Sequence, residues 1–345
     1  MKKQEILKNE LDVFDFLSGD VSIYVGLNFA FVDGVKKRIL DQYGTLKRFN
    51  REFLKIEYPN LKHDFQKARY HSITRWLKIL KAFNIDREEL FKNITCFRVN
   101  GSHSINAIIL PRTIALDSQF MEGYSLYIAE GDTGLSGRTV PKKLRFTNAN
   151  LDVIKFFINW IKTFVPGNSF YVNTILPSGI PVEKDFSRKV SEKLDIEVSK
   201  IKVKSDFYNK IIKYRVCLDS IIIINLVLAL DDIVKMICRR NNALAVGYIK
   251  GIMAGEGTVY FNKSRYVRIE MRNEREIRYV HSLLKNLKYN CEVSLRSERK
   301  GMCSIYIGAK QLEKFYNEIG FGSELNRQNI LRLAVEKKLR VNQYI

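Results

Sequence analysis

Two glutamates are distinguished by what surrounds them. Glu130 ends the segment Gly123 to Gly131 (GYSLYIAEG), and Glu256 ends Ile249 to Gly257 (IKGIMAGEG). Each closes a short, mostly apolar stretch and is followed by glycine. Small residues recur four positions apart, Ser125 and Ala129 in the first segment, Gly251 and Gly255 in the second. Positions i and i+4 share a helix face, so two such helices can approach closely along them. That packing would bring Glu130 and Glu256 side by side at the C-terminal ends of the pair, with Gly131 and Gly257 suited to left-handed helix termini. Two carboxylates placed there repel each other and oppose the helix dipole. A hard divalent cation such as Mg²⁺, with Mn²⁺ as a substitute, resolves the repulsion and can activate water against a phosphodiester. The plainer alternative is a pair of helix-ending surface acids.

The elements needed to hold these residues occur twice. After the first segment come a strand-like KKLRFTN (Lys142 to Asn148), a helix from Leu151 to Phe164 and strand-like pieces at Ser169 to Leu176, Lys200 to Lys204 and Lys210 to Leu218. An apolar helix from Ser220 to about Cys238 closes this copy. After the second segment come a strand from Tyr266 to Asn273, a helix from Glu274 to Leu287, and a hairpin of Cys291 to Glu298 and Met302 to Gly308 turning at Lys300-Gly301. Helices around Lys310 to Ile319 and Ser323 to Leu339 end the chain. Asn148 lies 18 residues after Glu130 and Asn273 lies 17 after Glu256, each placed to end a strand and open a helix. The first copy carries an insertion, roughly Pro177 to Leu194, that the second lacks.

The segment from Ile249 to Gly257 resembles the LAGLIDADG motif, with glutamate in place of the final aspartate. Gly123 to Gly131 resembles it more loosely, with Ser125 where the family usually has glycine. The resemblance extends over about two-thirds of the chain, from near Asp117 to the end, because each motif is followed by elements in the family's strand-strand-helix-strand-strand-helix order. It implies a mixed α/β fold (α+β) of two pseudo-symmetric αββαββα repeats with curved antiparallel sheets. It also implies a metal-dependent homing endonuclease that cuts double-stranded DNA, with Glu130 and Glu256 as the catalytic, metal-binding acids. The family often adds basic residues to the centre, and Lys143, Lys263 and Arg327 are the candidates by position. RNA maturases and transcription regulators that have lost cleavage resemble the same family, so a non-catalytic binder, of structured RNA for example, stands as the alternative.

The strands carry their own signal. Arg268 and Arg272 alternate with Val267, Ile269 and Met271. Lys143 and Arg145 flank Leu144, and Lys202 and Lys204 alternate with Ile201 and Val203. Lys213 and Arg215 alternate with Ile212, Tyr214 and Val216, while Arg296 follows Leu295 in the last hairpin. One sheet face is then apolar and packed, and the other polar and mainly basic. Any exposed sheet face is polar; the sign here points to DNA, with these residues and Lys263 as the candidate contacts.

Lys+Arg number 58 against 37 Asp+Glu, a net charge of +21 in 345 residues. The excess is spread along the chain, which argues for an extended basic surface on a polyanion rather than a basic tail. The five cysteines have no C-x-x-C spacing and read as reduced thiols of a cytoplasmic protein. The four histidines are scattered with no zinc-like spacing. The longest apolar run, Ile221 to Leu230, is too short to span a membrane. The expected organisation is a mainly helical domain over 1–116, helix-turn-helix-like with Ser72 capping a helix to Phe83, then repeats over 117–240 and 241–345. One chain supplies both repeats, so it is expected to act as a monomer.

Overall fold

A computed structural model describes residues 10–17, 23–66, 69–99, 107–132, 143–262, 264–296 and 301–336. The chain runs through β1 (Glu10–Asp12), α1 (Val13–Leu17), β2 (Ile23–Leu27), α2 (Phe29–Tyr43), α3 (Leu46–Phe49), α4 (Tyr58–Gln66), β3 (His71–Ser72), α5 (Ile73–Ala82), α6 (Arg87–Lys92), β4 (Ile94–Val99) and β5 (Thr113–Ala115). Next come α7 (Ser118–Glu130), β6 (Gly131–Asp132), β7 (Leu144–Asn148), α8 (Leu151–Phe164), β8 (Tyr171–Pro177), α9 (Phe186–Leu194), β9 (Ile201–Asp206), β10 (Lys213–Leu218), α10 (Ile221–Ala229) and α11 (Asp231–Arg240). Last are α12 (Asn242–Glu256), β11 (Gly257–Phe261), β12 (Arg265–Met271), α13 (Glu274–Asn286), β13 (Val293–Arg296), β14 (Met302–Gly308), α14 (Leu312–Glu318) and α15 (Leu325–Glu336). The fold is mixed α/β. Its contacts divide the chain into two compact units, one of 1–115, 164–168 and 219–229, the other of 116–163, 169–218 and 230–345.

In the first unit helices predominate, and α5 buries Ile73, Trp76, Ile79 and Leu80 on one face. Ser72 precedes α5, but its side chain makes no capping hydrogen bond. Helical periodicity does not disclose the three-stranded antiparallel sheet, ordered β3-β2-β4, around which these helices sit. Strands of two to six residues are too short for alternation to show. The apolar run from Ile221 does not continue to Cys238 as one helix. It breaks at Leu230, and α10 groups with this unit, burying Ile222, Ile223, Ile224, Leu226 and Val227. A helix apolar on every side must be surrounded.

The second unit contains both motif helices and two sheets. One sheet is ordered β6-β7-β10-β8-β9 and the other β11-β12-β14-β13. Each has a packed face. Phe146 of β7 stacks on Phe157 of α8 at 4.1 Å between centroids, and Val267, Ile269, Ile305 and Ile307 form the buried side of the second sheet. Asn273 caps α13 by accepting a hydrogen bond from Glu276 N at 3.1 Å. In the first copy the cap falls two residues later than the spacing predicts, because Asn150, not Asn148, accepts from Asp152 N at 2.8 Å. The insertion is a crossover. Through α9 it delivers β9 parallel to β8 at the sheet edge, so the antiparallel partner of β10 is β8 and not β9. An edge strand is covered on fewer sides, and Val203, expected on a packed face, is 37% exposed.

Candidate functional site

Helices α7 and α12 pack together along their small residues. A Cβ at Gly251 would run into the carbonyl oxygen of Glu122 and the hydroxyl of Ser125. A Cβ at Gly255 would lie 2.8 Å from Ala129 Cβ and 3.0 Å from Glu130 Cγ. Gly247, one turn earlier, lies against Ser118 and extends the line of contact. The contact therefore runs the length of both helices and leaves Glu130 and Glu256 as neighbours at the shared C-terminal end.

The expected left-handed termini are absent. Gly131 has φ −73°, ψ 151° and Gly257 has φ −78°, ψ 147°, both extended backbone. Each helix passes straight into a strand, β6 or β11. Glycine is required there for space. A Cβ at Gly131 would meet the carbonyl and ring of Tyr127, and one at Gly257 would stand 2.5 Å from Met253 O and 2.9 Å from the Phe321 ring.

Both acids are half-buried. Burial raises the Glu130 carboxyl above its usual range, against the pull of Arg327 and Lys213. Glu256 is pushed up to about 7, first by burial and then by repulsion from Glu130, with Glu270 adding to it and Arg327 opposing it. Repulsion within a close carboxylate pair disfavours double ionisation. Arg327 is the nearest structural answer to that repulsion. Its Nη1 donates to Gly255 O at 3.1 Å and Ala254 O at 3.2 Å, placing a cation on the negative end of α12. The start of α15 that carries it is pinned. Ser323 N donates to Glu122 Oε1 at 3.0 Å, and Asn150 Nδ2 donates to the buried Glu324 Oε1 at 2.8 Å.

Pairing register assigns the faces of the first sheet. Asp132, Arg145, Cys217 and Tyr171 form one row across the strands. Thr147, Arg215, Asn173 and Lys202 form the next, and Lys213, Ile175 and Lys204 a third. Arg145, Arg215, Lys202, Lys213 and Lys204 thus share one face, and Lys213 lies where its charge reaches Glu130. Arg215 Nε donates to Thr147 Oγ1 at 2.9 Å, Arg145 is ion-paired with Asp132, and Lys202 Nζ stands 4.0 Å over the Tyr171 ring. Lys143 adjoins Tyr171, its Nζ 3.4 Å from Oη.

The second sheet presents a different surface. Thr258, Arg268 and Tyr306 form one row, and Tyr260, Tyr266 and Gly308 the next. Tyr260 stacks on Tyr266 at 4.5 Å, and Tyr266 meets Tyr306 at 5.5 Å. Arg268, expected as an exposed contact, is only 12% exposed. It is paired with Glu270 at 2.8 Å and lies 4.8 Å over Tyr260. Arg272 falls beyond β12 and is exposed. Lys263 and the side chain of Arg296 lie outside the described residues. The alternation of YVRIEMR carried the positions of Arg268 and Glu270 but not their pairing. The tyrosine cluster, drawn from three strands, left no local pattern.

Among the described residues no group of three or more His, Cys, Asp or Glu is placed to hold a metal ion. The described cysteines form no disulfide, and four of them are buried. No helix among the described residues is long and apolar enough to cross a membrane.

No protein-family profile and no curated protein matches the chain. Several solved structures resemble part of it. One, of mesophilic variants of the homing endonuclease I-DmoI, is 14% identical, covering 59% of this chain and 96% of that one at a TM-score of 0.37. The homing endonuclease I-WcaI bound to its DNA recognition sequence is 15% identical over 59% of this chain and 81% of its own, TM-score 0.37. The N-terminal LAGLIDADG domain of DUF199/WhiA is 17% identical over 61% of this chain and 87% of its own, TM-score 0.36.

Proposed function

We propose that this chain is a sequence-specific double-stranded DNA endonuclease of the LAGLIDADG homing type, acting as a monomer through Glu130 and Glu256. The observation that carries the reading is the pairing of α7 and α12, which brings one acid from each repeat to a common end beside Arg327. The basic face of the first sheet supports DNA as the substrate, since Arg215, Lys202, Lys204 and Lys213 are spaced along strands as phosphate contacts would be.

The donor set fits a hard divalent cation. Two half-buried carboxyls whose proton affinity is raised by burial and by each other are groups that a cation relieves. Glu130 and Glu256 would hold Mg²⁺, or Mn²⁺ in its place. When bound, the ion supplies charge stabilisation to a phosphodiester under attack and acidifies water. The chain's own residues do the rest. Gly251 and Gly255 set the spacing of the acids, Arg327 holds the end of α12, and Lys213 places a cation beside Glu130.

Arg327 also favours a second reading. It gives the acid pair a counter-charge from within the chain, which suits a fold that binds nucleic acid without cutting it, as an RNA maturase or a transcription regulator would. Cleavage of a randomised duplex library in Mg²⁺ and in Mn²⁺, with wild type beside Glu130→Gln and Glu256→Gln, separates the two. The endonuclease reading expects a discrete long site cut by wild type and bound but uncut by both variants. Binding without cutting in either metal overturns it in favour of the second.

A further inference from the structure

The insertion in the first repeat ends in a surface that the paired repeats do not require. Strand β9 carries Lys202 and Lys204, and the register puts both in the rows that hold Arg215 and Lys213. The basic face therefore continues to the outer edge of the sheet. Beyond Asp206 the chain turns back toward β10 over the end of β8, where Ser178 N donates to Asp206 O at 3.3 Å. At the tip Phe207 is 87% exposed and Tyr208 is 95% exposed, with Lys210 and Ile211 also on the surface. The tip is organised, since Asp206 accepts from Tyr208 N at 2.9 Å and from Asn209 Nδ2 at 2.8 Å.

Lysines on an edge strand also discourage pairing with another chain. That role does not account for two adjacent aromatic rings held in water, an arrangement that loses hydrophobic stabilisation unless a partner covers it. Nor does hairpin closure need them. The corresponding connection in the second repeat is Ser297-Glu298-Arg299-Lys300-Gly301, polar throughout. Aromatic rings flanked by cations match a duplex, whose phosphates take the charge and whose base steps accept an apolar wedge.

Resting on the DNA-binding reading above, we propose that the β8–β10 insertion is an additional DNA-contacting arm. Lys202 and Lys204 bind phosphates, and Phe207-Tyr208 wedges between base pairs outside the span read by the two sheets. The arm gives the first half of the site a contact with no counterpart in the second.

Two variants of the full chain test this on a long mixed-sequence duplex and a closed circular plasmid. In Phe207→Ala/Tyr208→Ala, affinity should fall about tenfold with the salt dependence unchanged, because stacking contributes without releasing counterions. Its unwinding of the plasmid, read after topoisomerase relaxation, should be lost. In Lys202→Gln/Lys204→Gln the slope of log affinity against log salt should fall by about 2, with unwinding per bound protein retained. If the aromatic variant binds and unwinds like wild type, or wild type binds without unwinding, the wedge is overturned while DNA binding stands. If wild type binds no duplex at low salt, both readings fall together.

Discussion

The two repeats share an element order and differ in what their sheets present. The first offers a row-by-row basic face, with Arg215, Lys202, Lys204 and Lys213 on strands that an inserted edge strand widens. The second offers stacked tyrosines, and its central arginine, Arg268, is spent on Glu270. The same alternating pattern thus produces a basic surface in one half and one built from aromatic contacts in the other. The acids follow the asymmetry. Among the described residues Glu130 has Lys213 and Arg327 for company, whereas Glu256 has Glu130 and Glu270 against it and Arg327 in its favour. A chain carrying both repeats can let them diverge in this way, which two identical subunits could not.

The largest effect should come from Arg268→Ala. It strands Glu270 half-paired in a buried position, and breaking such a pair costs about 3–5 kcal/mol. Urea unfolding should show that loss, while the salt dependence of DNA binding stays nearly unchanged. A stable variant with a reduced salt slope would mean that Arg268 faces DNA after all.

Next in size is Glu256→Gln. A carboxyl raised from 4.5 to about 7 in the folded state opposes folding fully above pH 7, and the opposition fades as pH falls from 7 toward 4.5. The glutamine variant should therefore be more stable than wild type by up to about 3 kcal/mol at pH 8, with the gap closing by pH 4.5. Melting curves across that range check the sign, and a gap that widens on acidification contradicts the burial described for Glu256. His71, in the first unit, runs the other way. Burial, with Arg75 and His63 nearby, lowers it to about 4, so it leaves stability unchanged above pH 6.5 and opposes folding increasingly as pH falls from 6.5 toward 4, where the unfolded chain takes up the proton and the folded one does not. His71→Gln should flatten this acid limb without altering the Glu256 limb.

A smaller effect is expected from Lys213→Ala/Arg215→Ala on the first sheet. The salt slope should fall by about 2 and affinity near physiological salt by about tenfold. The smallest effect on DNA binding belongs to the second sheet. Tyr266→Leu removes two ring contacts worth about 1 kcal/mol each in stability and should leave the salt slope alone. Equal salt slopes for the two variants would erase the distinction between the halves.

Local pattern in the sequence determined a good deal. The apolar segments ending in Glu130 and Glu256, their small residues four apart, the twice-repeated element order and the alternation of the strands are all short-range features, and most of the expected elements form within a few residues of their place, the helix expected from Ser220 to Cys238 being split in two. Helix and strand periods are written into neighbouring positions, so a short stretch of sequence carries them. Long-range choices were not written there. Arg268 and Glu270 lie two apart on one strand and share a face, but whether they pair or meet solvent depends on what covers that face, where Tyr260 and Tyr306 come from other strands. The destination of the run from Ile221 depends on which unit has apolar surface to cover. The parallel pairing of β9 is set by a crossover that composition does not disclose. Arg327 reaches the end of α12 from a helix whose preceding turn is held by Glu122 and Asn150, far away in sequence. Gly131 and Gly257, expected at left-handed helix termini, are required for another reason. The backbone there is ordinary, and the space is taken by Tyr127 in one case and by Met253 and Phe321 in the other. Charge compensation and steric exclusion act between atoms brought together by the whole fold, and so only the tertiary structure could decide them.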